Sequence, residues 1–185
     1  MGEVRMLTWS VEETGGVETS WVEWEAGALR ARGRAVGVRP EPYWVEYALE
    51  TDERYATRRL RVSAEDRAGA RRLDLRQEGG SWTADGRALP ELAGALDCDL
   101  GMSPLTNTMP VLRHGLHHGG AHDFLMAFVS VPDLTVRAVR QSYTHLGPAG
   151  GGGRVRYASG DYRSDLEFDR DGLVVVYPGM ARRVP

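Results

Sequence analysis

The sequence contains no lysine, and all 23 of its basic residues are arginine. Lysine chemistry is therefore excluded: the protein cannot form a lysine Schiff base, attach a cofactor through a lysine or use a P-loop lysine. Arginine suits bidentate anion contacts and aromatic stacking better than lysine does. Because the arginines are spread along the whole chain, which is also rich in glycine and alanine, compositional bias is the favoured explanation.

Cysteine and long apolar runs are also scarce. The single cysteine, Cys98, excludes an internal disulfide and a cysteine-rich zinc site. The longest apolar stretch, residues 124–131, has the length of a strand and falls far short of the roughly 18 residues of a membrane span. Glu3 and Arg5 interrupt the apolar core that a signal peptide requires. We therefore expect a cytoplasmic protein without an integral membrane segment.

Length and charge narrow the class of protein further. At about 150 residues per domain, the 185 residues predict a single domain spanning 1–185. A chain of this size buries roughly 70% of its unfolded surface, which supports a core without cross-links. The net charge of −3 provides no basic field, so no nucleic-acid partner is expected.

The dominant pattern is alternation of apolar and polar residues with period two, which predicts antiparallel strands. Residues 162–169 alternate, residues 169–172 carry the Asp-Gly turn signal of a hairpin, and residues 173–177 return as an apolar run. Similar segments along the chain bring the predicted number of strands to about ten or eleven.

The segment 28–37 has an unusual composition for a strand. Arg30, Arg32 and Arg34 share one face, while leucine, alanine and glycine occupy the other. Small residues on one face allow a strand to bend and allow another chain segment or a ligand to approach closely. The alternative is a barrel corner with a solvated arginine face.

Helical signals are weak. Leu89, Leu92, Ala93 and Leu96 have helical spacing, and Ser103-Pro104 is typical of the start of a short turn. The predicted fold is therefore mainly β. We expect a single antiparallel sheet that curls strongly, with a few short helices.

Two clusters of polar residues are candidates for chemistry. Four histidines lie between His114 and His122 in a glycine-rich segment, but they lack the regular spacing of a zinc site, so no metal is expected. Asp97 and Asp99 would point the same way from a strand and could form an acid–base pair or accept structural hydrogen bonds. No serine-nucleophile or dinucleotide-binding motif occurs, and neither a catalytic residue nor a cofactor is assigned.

Tryptophans and tyrosines fall on the predicted strands, among them Trp44, Tyr47 and Tyr143. Such residues usually form the core. On a strongly curved sheet the same residues could line a concave apolar cavity of the kind that holds lipids.

The middle of the chain resembles the signature of a bacterial family described as "putative glycolipid-binding", formerly a domain of unknown function. Residues 97–100 read DCDL and residues 103–113 read SPLTNTMPVLR, close to the family pattern D-x-D-L followed by T-P-x-T-N-T-L-P-I-R-R. Further matching segments, in the same order, extend the resemblance over nearly the whole chain. His114 stands where the family pattern has its second arginine.

This resemblance implies a fold similar to the lipoprotein-localisation factors, an unclosed β-barrel with helices at its mouth. It also implies non-enzymatic binding of an apolar or amphipathic small molecule, with a glycolipid as the suggested ligand. The residues we assign to ligand binding are Trp44, Tyr47, Asp97, Asp99, Thr106, Asn107, Arg113, Gln141 and Tyr143. In this hypothesis the aromatic rings supply apolar contact, and Arg113 or Gln141 holds a polar head.

Two alternatives remain at this point. One is a hydrolase or isomerase that uses Asp97 and Asp99 with a nearby histidine, and it requires both carboxylates to open onto a cleft. The other is a protein-interaction module that uses an exposed sheet edge. A structural role for Asp97, Thr106 and Asn107 is also open, because a proline-rich crossing segment needs side-chain partners for its backbone groups.

Overall fold

The computed structural model describes residues 3–185, and its strands all belong to one 15-stranded sheet. The first eight strands are β1 (Glu3–Val11), β2 (Gly16–Glu25), β3 (Ala28–Gly37), β4 (Tyr43–Thr51), β5 (Thr57–Asp66), β6 (Gly69–Glu78), β7 (Ser81–Ala84) and β8 (Arg87–Ala88). The other strands are β9 (Asp97–Leu100), β10 (Ala121–Val129), β11 (Val136–Ala149), β12 (Gly152–Ser159), β13 (Tyr162–Phe168), β14 (Val174–Tyr177) and β15 (Ala181–Arg183).

The sheet consists of two meanders joined through the first and last strands. β1 to β8 and β10 to β15 each run in chain order, β1 pairs antiparallel with β15, and β9 adds in parallel to β10. The two end strands, β8 and β9, do not pair with each other, so the barrel is unclosed as expected. The strand number exceeds the predicted ten or eleven because strands as short as β7, β8 and β15, of 4, 2 and 3 residues, show no recognisable alternation.

Strong curvature brings the two ends of the sheet close together. The backbone N–H of Thr57 on β5 donates to the carbonyl of Leu96, 2.9 Å away, and the hydroxyl of Thr57 accepts the N–H of Cys98 on β9 at 3.0 Å. Trp82 on β7 is buried, and its indole N–H donates to the carbonyl of Ala95 at 2.9 Å. The segment before β9 therefore bridges the gap that the strands leave open.

Helical structure is sparse, and one prediction about it is wrong. The described residues contain one α-helix, α1 (Thr108–His114), and two 3-10 turns, Pro90–Leu92 and Pro104–Asn107. The helical spacing from Leu89 to Leu96 yields only the single turn at Pro90–Leu92, and Leu96 is 42% exposed. Gly94, at φ +89°, lies just beyond this turn in a left-handed conformation that interrupts any helix.

The predicted hairpin at the end of the chain is confirmed as β13 and β14. One carboxylate oxygen of Asp169 accepts the backbone N–H groups of Asp171 and Leu173, each at 3.0 Å, and Gly172 supplies the positive φ of +73°. This side-chain-stabilised turn fixes the register in which Phe168 opposes Val174.

The small residues of β3 make room for aromatic side chains of β4. Gly33 lies opposite Tyr47, and Gly37 lies opposite Tyr43. A Cβ at Gly33 would come within 2.2 Å of the Tyr47 ring carbon Cζ, so the ring covers the glycine directly. The expected close approach is therefore made by an aromatic side chain of the next strand, and the three arginines of β3 face outward as predicted.

The core lies on one face of the sheet, here called the inner face. It forms a single cluster to which both halves of the sheet, the crossing segment Pro104–Asn107 and α1 all contribute. Trp9 is fully buried, and its indole N–H donates to the carbonyl of Val174 at 3.0 Å. In residues 3–185 we find no helix with the length and apolarity that a membrane crossing requires.

Candidate ligand-binding cavity

A cavity of about 990 Å³ opens on the inner side of the second meander, between β11–β14 and the crossing segment. We call it the tyrosine cavity after Tyr157, Tyr162 and Tyr177. Its lining includes Glu13, Asp99, Asn107, Phe128, Arg137, Tyr157, Tyr162, Arg163, Tyr177 and Met180. The cavity therefore combines aromatic walls, a polar floor and a charged rim.

The wall is an aromatic cluster centred on Tyr157. Its ring centroid lies 5.4 Å from that of Tyr143, 6.0 Å from that of Tyr162 and 5.9 Å from that of Tyr177. Alternation on β12 and β13 places Tyr157 and Tyr162 on the inner side, and the chain reversal after β13 brings in Tyr177 on β14. Tyr162 is 48% exposed and forms the outer part of the wall.

The floor is a chain of buried hydrogen bonds. The two carboxylate oxygens of Asp99 accept from the Thr106 hydroxyl at 2.9 Å and from the Gln141 amide at 2.6 Å. The Tyr143 hydroxyl donates to the Asn107 carbonyl oxygen at 2.8 Å and lies 3.2 Å from the Gln141 carbonyl oxygen. Five of the residues predicted from the sequence are thus brought together in one network.

Burial controls the protonation of this network. The pKa of Asp99 is raised by desolvation, which outweighs the hydrogen bonds that it accepts from Gln141 and Thr106. The pKa of Tyr143 is raised well above its ordinary value, first by burial and then by the neighbouring Asp99 charge. The amide of Asn107 makes only a 3.5 Å contact to the Pro104 carbonyl, so it can still donate into the cavity.

The local sequence explains how these groups reach the floor. Asp99 lies on β9, which is buried along its whole length. The 3-10 turn Pro104–Asn107 then crosses the inner face, and Thr106 turns back so that its hydroxyl also accepts the Leu100 N–H at 3.2 Å. Gln141 comes from β11 in the other half of the meander. The contacts therefore join β9, the crossing segment and β11.

Asp97 and Arg113 form a separate buried pair next to the floor. The Arg113 guanidinium contacts both carboxylate oxygens of Asp97 through its two terminal nitrogens, one of them at 2.8 Å. The Asp97 side chain is 1% exposed, and its burial raises its pKa although Arg113 acts in the opposite direction. Neither residue lines the tyrosine cavity. The pair links β9 to α1.

Trp44 and Tyr47 lie elsewhere, on β4. Trp44 is 60% exposed on the opposite, outer face, where its indole N–H donates to Glu65 at 3.2 Å. Tyr47 is buried on the inner face, and its hydroxyl donates to Glu18. The structure therefore does not bring these two aromatic residues to the tyrosine cavity.

Glu18 is a buried acid that the sequence reasoning missed. One carboxylate oxygen accepts from Ser103 at 2.6 Å, from Ser20 at 3.3 Å and from Tyr47, whereas the other oxygen has no partner within residues 3–185. Burial raises the pKa of Glu18 to about 7. The alternation of Glu18, Ser20 and Val22 on β2 could have revealed its inward direction. We call these four residues the Glu18 cluster: Glu18, Ser20, Tyr47 and Ser103.

The histidine segment pairs its rings instead of converging on a point. His114 stacks on His122 with 4.0 Å between ring centroids, and His117 lies 3.9 Å from His118. Over the described chain, no three histidine, cysteine or acidic residues are arranged to hold a metal ion. Burial lowers the pKa of both His114 and His117.

The fold and the cavity define a class of protein, namely an unclosed, β-barrel-like sheet with a ligand-sized cavity on its inner side. A family model described as "Putative glycolipid-binding" matches residues 6–183, and the chain belongs to this family.

Two solved structures resemble this one. A DUF1089 family protein from Pseudomonas aeruginosa is 32% identical, with a TM-score of 0.75 over 90% of this chain and 92% of that chain. A β-barrel-like protein of the domain of unknown function DUF1849 from Brucella abortus is 11% identical, with a TM-score of 0.53 over 99% of this chain and 95% of that chain, which shows the fold alone. No curated protein matches the chain.

Proposed function

We propose that the chain, as a single domain, binds one amphipathic molecule of glycolipid type in the tyrosine cavity and does not convert it chemically. The observation that carries the proposal is the combination of aromatic wall and polar floor in one cavity of about 990 Å³. This volume lies at the upper end of the range of about 300–1,000 Å³ that is typical of ligand sites. The family description points to the same ligand class, and the fold of the lipoprotein-localisation factors, which the sequence resemblance implies, would suit such a ligand.

Some lining residues are suited to the sugar head of such a ligand, and others to its lipid chain. Tyr157 and Tyr162 offer flat apolar faces against which a sugar ring can pack. Asp99 keeps lone pairs that accept sugar hydroxyls, and Asn107 supplies amide donors. Phe128 and Met180 line the apolar remainder of the cavity and contact the lipid part.

The other residues predicted for this function support the floor. Thr106, Gln141 and Tyr143 are positioning residues, because each holds Asp99 or Asn107 in place without a large exposed surface. Asp97 and Arg113 fix β9 to α1 beside the floor. This assignment gives ligand contact to Asp99 and Asn107 and leaves Trp44 and Tyr47 outside the cavity.

The geometry favours binding over the two alternatives. An acid–base pair requires two open carboxylates, but Asp97 is 1% exposed and held by Arg113. A sheet-edge interaction requires a long exposed edge strand. Of the two edge strands, β9 is buried throughout and β8 has only 2 residues.

The test starts from the purified protein. Native mass spectrometry should detect a co-purifying lipid or its uptake from a glycolipid and alkyl-glycoside panel. Isothermal titration with dodecyl maltoside below its critical micelle concentration should then show one site. Absence of any bound species in both experiments would refute the proposal.

A pair of matched variants locates the site. Tyr162→Ala removes an exposed aromatic ring from the cavity wall, and Trp44→Ala removes an exposed aromatic ring from the outer face. We expect Tyr162→Ala to weaken dodecyl maltoside binding about 3- to 10-fold, as the loss of one aromatic contact predicts. Trp44→Ala should leave the affinity unchanged. Equal affinities for both variants would place the ligand outside the tyrosine cavity.

A further inference from the structure

A second concave site lies on the outer face of β1–β6. It has a volume of about 740 Å³ and shares no lining residue with the tyrosine cavity. We call it the arginine groove, after the four arginines that line it: Arg32, Arg34, Arg61 and Arg72.

The register of the strands explains why a groove forms on an exposed sheet face. One row across the sheet runs from Arg32 through Ala48 to Arg61. Because the short side chain of Ala48 lies between two long arginine side chains, the surface is depressed in the middle of this row. In the next row Ser63, another short side chain, lies beside Arg72. Small residues thus form the floor, and guanidinium-bearing side chains form the walls.

The guanidinium groups of the groove are weakly engaged by the protein itself. The nearest carboxylate oxygen to Arg32 is 3.8 Å away, and the nearest to Arg61 is 3.6 Å away. Arg72 makes no ion pair with any of residues 3–185, and Arg34 reaches Glu46 at 3.2 Å. Side chains of Arg32 and Arg34 are 75% and 76% exposed. Within residues 3–185, Arg32, Arg61 and Arg72 therefore make no hydrogen bond to a carboxylate, and their guanidinium groups can turn towards an external anion, whereas Arg34 donates to Glu46.

One carboxylate of the groove lining, that of Asp74, is bound by arginines that lie outside the lining. Asp74 lines the groove, but both of its oxygens accept from Arg59, at 2.7 and 2.8 Å, and one also accepts from Arg76. Its charge is thus compensated by arginines outside the groove lining. Four arginines and three carboxylates, Glu46, Asp74 and Asp85, line the groove, so its lining carries a small excess of positive charge in a chain whose net charge is −3.

One end of the groove is apolar. Trp21 pairs with Met6 on β1 and with Arg32 on β3, and Met6 and Trp21 are 59% and 50% exposed. An exposed tryptophan and methionine directly beside a guanidinium group make an amphipathic surface. Such a surface matches a molecule with an anionic head and an apolar chain, whereas a purely polar anion would leave Trp21 and Met6 uncovered.

We propose that the arginine groove binds a single phosphate-headed amphiphile. The phosphate oxygens accept hydrogen bonds from the guanidinium groups around Ala48 and Ser63, a geometry to which planar, forked donors are suited. The alkyl chain lies along Trp21 and Met6. This site is independent of the tyrosine cavity, so either proposal can fail without the other.

The test is a titration followed by backbone amide NMR, with dodecyl phosphate below its critical micelle concentration as the probe. Amide shifts are expected at Gly33, Ala48 and Ser63, and not at Gly101 or Gly179 of the tyrosine cavity. Dodecyl maltoside should give the reverse pattern. Inorganic phosphate should bind at least 10-fold more weakly than dodecyl phosphate, and equal affinity would refute the amphiphile. Shifts confined to the tyrosine cavity would also overturn the proposal.

Variants test the two components of the groove. The double variant Arg61→Gln, Arg72→Gln removes two guanidinium groups, and Ala48→Leu fills the floor. Each should weaken dodecyl phosphate binding at least 10-fold. The control Arg154→Gln removes a half-exposed arginine of β12 and should change the affinity less than twofold. Equal affinity of the double variant and the control for dodecyl phosphate would refute the assignment. Arg61 and Arg72 are exposed, so the double variant remains a valid test even if Ala48→Leu does not fold.

Vesicles distinguish binding of a single amphiphile from binding to a membrane surface. Binding to phosphatidylglycerol vesicles without binding of monomeric dodecyl phosphate would mean that the outer face contacts a membrane surface, and the single-molecule proposal would then be wrong. Salt screens exposed charges over a Debye length of roughly 10 Å. Binding of monomeric dodecyl phosphate that weakens as salt is raised from 50 to 200 mM would therefore support the single-molecule proposal.

Discussion

Replacing Glu18 with glutamine should remove a loss of stability that the wild-type protein suffers between about pH 4.5 and pH 7. Glu18 is fully buried, and its pKa is raised from 4.5 to about 7, chiefly by desolvation. The folded protein therefore keeps this proton in an interval in which the unfolded chain has released it. Because the folded state binds more protons there, the free energy of unfolding falls as the pH rises.

The magnitude follows from the two pKa values. The interval from 4.5 to about 7, at about 1.4 kcal/mol per pH unit, corresponds to about 3 kcal/mol. The loss is complete above pH 7. Glutamine keeps the oxygen that accepts from Ser103 and places its amide nitrogen where the other Glu18 oxygen has no partner. The variant should thus be more stable than the wild type by less than about 1 kcal/mol near pH 5, and by up to about 3 kcal/mol at pH 8.

Urea unfolding at pH 5, 6, 7 and 8 measures this difference directly. In a protein of this size, about 3 kcal/mol corresponds to a melting-temperature difference of about 6–12 °C at pH 8. The raised pKa values of Asp97 and Asp99 act in the same direction, but they are present in both proteins and cancel in the difference. Glu53→Gln, which removes an exposed carboxylate, is the matched control. Parallel stability curves for wild type and Glu18→Gln from pH 5 to pH 8 would refute the reasoning.

Three further outcomes are expected. Arg113→Ala should lower the free energy of unfolding in urea by about 3–5 kcal/mol, because it leaves the buried Asp97 carboxylate without its partner. Gly33→Ala should cost about 1–3 kcal/mol in the same assay, because its Cβ would lie 2.2 Å from the Tyr47 ring. Cys98 is fully buried and its pKa is raised to about 12 by desolvation, so Ellman's reagent at pH 8 should detect no thiol in the native protein and one thiol in urea.

Each of these outcomes has its own control. Adding Asp97→Asn to Arg113→Ala should recover part of the lost stability, and no recovery would show that the cost does not arise from the uncompensated charge. Gly119→Ala places a Cβ where no heavy atom lies within 4 Å and should be nearly neutral. A fast-reacting thiol in the native state would show that the strand β9 opens readily.

Alternation in the sequence predicted the local structure well. The hairpin around residues 169–172 and the outward arginines of β3 follow from period two, because neighbouring side chains of a strand point to opposite faces. The same rule also separates Trp44 from Tyr47, which are three positions apart and lie on opposite faces of β4. Assigning both to one cavity was inconsistent with the alternation itself.

Alternation could not predict contacts between residues that are far apart in the sequence. Glu18 meets Ser103 over a sequence separation of 85 residues, and Gln141 meets Asp99 over 42. Alternation tells which side of its own strand each residue occupies, but it does not tell how far the sheet curls or which strand faces which. The composition of the chain likewise gave no sign that arginines from four separate positions surround one groove.

The sequence by itself determined a lysine-free, mainly β chain, its family signature and the residues that form the polar floor. The tertiary structure decided which of those residues touch, that Asp97 belongs to Arg113, and that three tyrosines complete the cavity wall. The physical reason is that strand periodicity is local, with neighbours two residues apart, whereas a cavity depends on the accumulated twist and curvature of all 15 strands.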